Sequence, residues 1–111
     1  MQITVSNEGA VTVVKPVGPI TAGELEELDK KLDSLNRNWT KRVVINMSEV
    51  AFIDSAGLEL FIRYQKQLDE RGLKLKLCGM NEITQKIFDI TQLSRFFEIF
   101  ADTTGAVRSF L

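Results

Sequence analysis

The apolar run Val43-Val44-Ile45 limits the fold more than any other feature, because it lies between two stretches of helical periodicity. Before it, Leu25, Leu28, Leu32 and Leu35 recur at intervals of three or four, with Glu26, Glu27, Lys30 and Lys31 off that face. After it, Leu58, Phe61, Ile62 and Leu68 form a second apolar face. Arg42 to Met47 therefore reads as a buried strand. Strands joined through helices lie parallel, since a tight hairpin cannot make that connection.

The flanking sequence extends the alternation. Ile3 to Val5 and Val11 to Val14 are expected to be short strands around the turn signal Asn7-Glu8-Gly9. Gly18-Pro19 breaks the pattern, and Thr21-Ala22-Gly23-Glu24 fits a capping box that would start a helix over 21–35, ended by Asn36 to Asn38. A second helix over 55–71 would stop at Gly72. Leu73 to Cys78 alternates leucine with lysine, as in a strand with one solvated side. Asn81 would cap a third helix carrying Ile83, Ile87 and Ile90. Phe96 to Phe100 would be a last strand, with Asp102 or Thr103 capping a final short helix. The expected fold is one α/β domain over 1–111, a mixed sheet of four to five strands with helices mainly on one face.

Composition narrows the chemistry. With 14 basic and 15 acidic side chains, the chain lacks the basic excess that nucleic acid binding requires. It has no histidine, and hence neither the commonest general base nor the commonest metal ligand. A metal site and a cofactor are not expected, and neither is a catalytic residue. The single cysteine, Cys78, cannot form an internal disulfide and reads as a buried packing thiol. No apolar run approaches the roughly 20 residues that span a bilayer. The expected setting is the reducing cytoplasm.

One junction carries more information than the pattern around it. In Phe52-Ile53-Asp54-Ser55-Ala56-Gly57-Leu58 a serine stands where an extended segment gives way to a helix. There it can cap the helix or, if phosphorylated, place about 1.5 to 2 negative charges beside the positive end of the helix dipole. Hydrolysis by Ser55 would need a base and an oxyanion hole, and no histidine is available. Phosphorylation of Asp54, as in a receiver domain, would need Mg²⁺ held by further carboxylates near the first strand, where only Glu8 is found.

The ordered set Val43-Val44-Ile45-Asn46-Met47-Ser48, Phe52 to Leu58, Leu75-Lys76-Leu77-Cys78-Gly79-Met80 and Ile87 to Leu93 closely resembles the STAS family. The likeness is to its small stand-alone bacterial anti-sigma factor antagonists, and it runs from about Val11 to Phe110. The resemblance implies that Ser55 is phosphorylated by an anti-sigma factor that is also a serine kinase, and that phosphorylation releases the antagonist. It implies a partner surface of Thr21, Asp54, Ser55, Ala56, Gly57, Leu58 and Glu59, and a phosphatase that resets the switch. Two positions depart from the family pattern. Thr21 stands where an aspartate is expected, and Glu59 where a small residue is common. The alternative is a non-switching STAS scaffold or accessory subunit, for example of a lipid-transport assembly.

Several other residues have two readings. Arg63, Lys66, Arg71, Lys74 and Lys76 form either a basic patch or a solvated face. Trp39 is either a partner anchor or a cover for the edge of the core. Tyr64 is either an exposed contact or partly buried. Of Phe96, Phe97, Phe100 and Phe110, most should be buried, with one left for weak homodimer formation.

Overall fold

The computed structural model describes residues 1–111. The run that opened the sequence argument becomes the central strand. β3 (Val43–Asn46) lies parallel between β2 (Val11–Val17) and β4 (Lys76–Cys78), with Val44 opposite both Val13 and Lys76. β1 (Gln2–Glu8) pairs antiparallel with β2 across the turn at Gly9, and β5 (Glu98–Phe100) closes the parallel side beside β4. The sheet order is β1-β2-β3-β4-β5, mixed as expected.

The crossovers are α1 (Glu26–Arg37), α2 (Ser55–Asp69) and α3 (Glu82–Ile90), the last followed by a 3₁₀ turn at Leu93–Arg95. Leu28 and Leu32 of α1 join Leu60, Phe61, Tyr64 and Leu68 of α2 over Val14, Val43, Ile45 and Leu77 in the main core. Phe97 packs edge-on against Phe88 of α3, ring centroids 5.8 Å apart. No helix is long and apolar enough to cross a membrane.

Four expectations need correction. Thr21 caps no helix: its carbonyl closes a turn by accepting from Glu24 N–H, and α1 begins at Glu26 after Leu25, which makes no side-chain cap. Acidic Glu26, Glu27 and Asp29 instead complement the dipole in the first turn. On α3, Thr84 and Phe88 are the buried residues, while Ile83 and Ile90 are 60% and 80% exposed; β4 and β5 are only three residues long and cover a narrow stripe of the helix. Lys76 is buried because α4 (Thr103–Arg108) packs on the opposite sheet face, where Val11, Val13, Val44, Cys78 and Ala106 make a second cluster. Its ammonium donates to Ser109 Oγ at 2.6 Å, lies 3.2 Å from Glu98 and sits 3.9 Å from the Phe110 ring centroid. Lys76 is therefore no part of a basic surface, and Arg63 is paired with Asp29 at 2.9 Å.

The fourth correction is Ser55, which is the first residue of α2 and not its cap; that part falls to Asp54. The remaining cap assignments agree with the sequence. Asn81 accepts from Thr84 N–H at 2.8 Å and Asp102 from Gly105 N–H at 2.8 Å. Cys78 is buried, which pushes its thiol pKa up, and it meets Thr103 Oγ1 at 3.6 Å.

Two neighbouring polar groups in the core have opposite accounts. Gln65 Oε1 accepts from Leu75 N–H at 2.8 Å and its amide reaches Leu73 C=O, fixing the entry to β4. Tyr64, 2% exposed, has a hydroxyl with no partner; burial pushes its pKa up to about 12, against the opposing pull of the Arg71 charge. Gln65→Leu orphans a buried N–H and should destabilise by about 1–3 kcal/mol, whereas Tyr64→Phe should be neutral or stabilise by about 1 kcal/mol. Chemical denaturation of the two variants checks the opposite signs.

Candidate functional site

The sequence places Asp54 just after the bridge that pairs Ile53 with Ile20, in extended backbone at the position where a cap satisfies the first free N–H groups of the helix. Asp54 supplies that cap: Oδ1 accepts from Gly57 N–H at 3.0 Å. Oδ2 accepts from Ala22 N–H at 3.0 Å, and the Asp54 backbone N–H donates to Ile20 C=O at 3.2 Å. One carboxylate thus joins the start of α2 to the segment after β2, and brings Thr21 to the same end of the molecule.

Gly57 is required by the packing beneath this cap. A Cβ at that position would lie 2.6 Å from Ile20 O, 2.7 Å from Ile53 Cγ1 and 2.9 Å from Ile20 Cγ2. Gly57 makes its close approach to the chain's own backbone, at the Ile20 carbonyl. Gly57 is buried and Leu58 half-buried against the main core, so both face inward. Ser55 and Glu59 are exposed, one helical turn apart, and Ala56 is partly exposed. Phe52, 46% exposed, lies on the approach to the site. Its exposure was not anticipated, since a phenylalanine beside Ile53 reads as core.

Neighbouring loops frame this end of the sheet. Asn46 Oδ1 accepts from Ser48 N–H at 3.0 Å, and Asn81 Nδ2 donates to Val50 and Ala51 C=O at 3.4 and 3.2 Å. Charge at the site is anionic and fixed. Hydrogen bonds from Gly57 N–H first, and Ala22 N–H second, hold the Asp54 carboxyl below its ordinary pKa. Since Asp54 makes the cap, the Ser55 hydroxyl is left at an exposed first turn that contains no acidic residue. No group of three or more His, Cys, Asp or Glu side chains is disposed to hold a metal ion.

Comparison with known proteins agrees with this architecture. The STAS domain family model matches residues 2–106. An anti-sigma-B factor antagonist of Staphylococcus epidermidis is 30% identical over 86 residues, 78% of this chain and 80% of its own length. An anti-sigma factor antagonist from Mycobacterium paratuberculosis superposes with a TM-score of 0.89 at 19% identity, covering 97% of this chain and 92% of its own. The Bacillus cell fate determinant SpoIIAA in its phosphorylated form gives a TM-score of 0.75 at 14% identity, covering 97% and 99%. At those identities the two structures attest the fold.

Two measurements test the geometry. Gly57→Ala should destabilise by about 1–3 kcal/mol, because neither the Ile20 carbonyl nor the Ile53 side chain can yield freely; a thermal midpoint equal to that of the parent would contradict the close packing. The lowered Asp54 pKa gives a stability contribution that is present above the ordinary value of 3.8 and is lost as pH falls through the folded-state value. An NMR titration of its carboxyl carbon should therefore have a midpoint below 3.8, and a midpoint at or above it would refute the double hydrogen bond.

Proposed function

This chain belongs to the STAS domain family, and from that premise we propose that it is an anti-sigma factor antagonist switched by phosphorylation of Ser55. The observation that carries the reading is the exposed Ser55 hydroxyl at the start of α2, beside a cap that Asp54 already provides. In this mechanism the unphosphorylated chain packs the surface around Ser55, Ala56, Glu59 and Thr21 against an anti-sigma factor serine kinase. Binding takes that anti-sigma factor away from its sigma factor. The kinase then transfers the γ-phosphoryl group of ATP to Ser55 Oγ: a P–O bond to the serine forms, the bond to ADP breaks, and the hydroxyl proton passes to a base on the kinase.

The switch acts at the interface. A phosphate on the first residue of α2 lies beside free backbone N–H groups and the positive dipole end, where an anion is well accommodated. The same phosphate stands near Asp54 and Glu59, so it adds like-charge repulsion and a desolvation penalty wherever a partner covers this surface. A phosphatase returns the chain to its binding form, and the cycle takes place in the cytoplasm. Thr21 and Glu59, the departures from the family pattern, bear on which kinase is recognised.

Incubation with ATP and the serine kinases of the source organism should give a single phosphate, located at Ser55 by mass spectrometry and absent from Ser55→Ala. Ser55→Asp should keep the parent circular dichroism and thermal midpoint while losing at least about tenfold in affinity for the cognate kinase, or about 1.4 kcal/mol. Undiminished binding by that variant would refute the release mechanism. Absence of phosphate with every kinase would favour the non-switching scaffold.

A further inference from the structure

At the end of the molecule opposite Ser55, α1 finishes in an unusual way. Trp39 N–H donates to Asn36 C=O and Thr40 N–H to Leu35 C=O, the crossed pair that closes a helix when the next residue is left-handed. That left-handed residue is Trp39, at φ +58°, in a position that favours glycine. The comparable turn after α2 uses Gly72, at φ +70°. Trp39 gains no burial in return, for it is 70% exposed. The ring is nonetheless held: the Arg71 guanidinium lies 4.8 Å from its centroid, and that guanidinium donates to Asn36 Oδ1 at 3.0 Å and to Thr40 C=O at 3.5 Å. An exposed aromatic in a strained position, fixed before any partner arrives, is arranged as a binding anchor and not as a cover for the core.

Charge defines what it would bind. Side-chain ion pairs engage Lys30, Arg37, Arg63 and Lys76, and of the ten other basic side chains Lys41, Arg42, Arg71 and Lys74 lie together at this end without a carboxylate partner. A hollow of about 430 Å³ lies among Trp39, Lys41, Arg71 and Leu73. It shares Lys41 and Leu73 with a second hollow of about 300 Å³ that reaches Arg42 and Lys74. Of the residues lining the two hollows only Glu98 carries a carboxylate, and it is held by Lys76; Glu70 lies on an adjoining hollow, and the Leu111 carboxylate follows Phe110. In a chain of net charge −1, this is a local excess of cations around a fixed indole.

We propose that the Trp39–Arg71 end is a second docking surface, fitted to an acidic segment of a partner protein that sets an aromatic or aliphatic side chain against Trp39. It is independent of the Ser55 reading. From Ser55 to Asp69 the α2 axis spans roughly 21 Å, so both ends can be occupied at once.

Trp39 is the only tryptophan, so tryptophan emission, excited selectively over Tyr64, reports on this site alone. The probe is a synthetic glutamate-rich peptide with one central phenylalanine, compared with its glutamine counterpart, a poly(dT) oligonucleotide and phosphatidylglycerol vesicles. The acidic peptide should shift the emission saturably, bind at least about tenfold more tightly than the glutamine peptide and weaken as salt is raised. Trp39→Gly, which suits the left-handed turn, should remain folded and lose at least about tenfold in peptide affinity by calorimetry; Ser55→Asp should bind like the parent. Any of four results would overturn the proposal: no saturable response, tighter binding of the oligonucleotide or vesicles, undiminished binding by Trp39→Gly, or amide shifts centred on Ser55 instead of Trp39.

Discussion

The Asp54 carboxylate and the absent side chain of Gly57 together set the position of α2, and most of the core follows from that position. The carboxylate fastens the first turn of the helix to Ala22, and the glycine lets that turn settle onto the Ile20 carbonyl at a distance no Cβ could share. With its start so placed, α2 presents Leu60, Phe61, Tyr64 and Leu68 to the sheet and Gln65 to the backbone entering β4. A displacement at Gly57 would be transmitted along a rigid helix into a close-packed interior that has little capacity to absorb it. Asp54 and Gly57, on either side of Ser55-Ala56, thus serve the fold first.

That division of labour is what makes a switch at Ser55 physically reasonable. A serine that capped its own helix would lose a stabilising bond when modified, so the regulatory event would also act on stability. Here Asp54 holds the cap and Ser55 has only to be reached. The charge added by a phosphate would meet helix N–H groups within the chain and, with Asp54 and Glu59 beside it, like charge wherever a partner covers this surface, a contrast that separates tolerance by the fold from rejection by a partner.

The parallel crossovers, the cap at Asn81 and a cap at Asp102 or Thr103 were legible because each depends on local sequence. The errors share a different cause. Asp54 and Ser55 are both good cap residues, and which of them caps α2 depends on Ala22 and Ile20 being brought to the helix start by the sheet, while Thr21 between those two residues closes a turn instead of capping α1. The stripe Ile83, Ile87 and Ile90 has core periodicity, yet only Ile87 packs against the core, because the surface available to α3 is set by the shortness of β4 and β5. Lys76 alternates as a solvated residue should, but a helix some thirty residues later covers it and supplies Ser109 as its partner. Local pattern specifies which elements form, and the layer each face meets is a long-range property.

The helix ends carry the features that packing does not explain. Inside α2, the buried residues are constrained on every side by the sheet and α1, so variation there is registered as a cavity or a clash. At its start the backbone leaves donors unsatisfied, and this chain places there a carboxylate and a free hydroxyl. Beyond its end, Arg71 turns back onto Asn36, Thr40 and the Trp39 ring, linking the last turns of two helices. Gly72 shows that the α2 turn is built in the conformationally inexpensive way, which makes the tryptophan in the equivalent α1 turn a departure that stability does not account for. A residue that strains the backbone, remains in water and is still held in one orientation is explained by an occupant outside the chain, and the unpaired lysines and arginines around it indicate the sign of that occupant's charge.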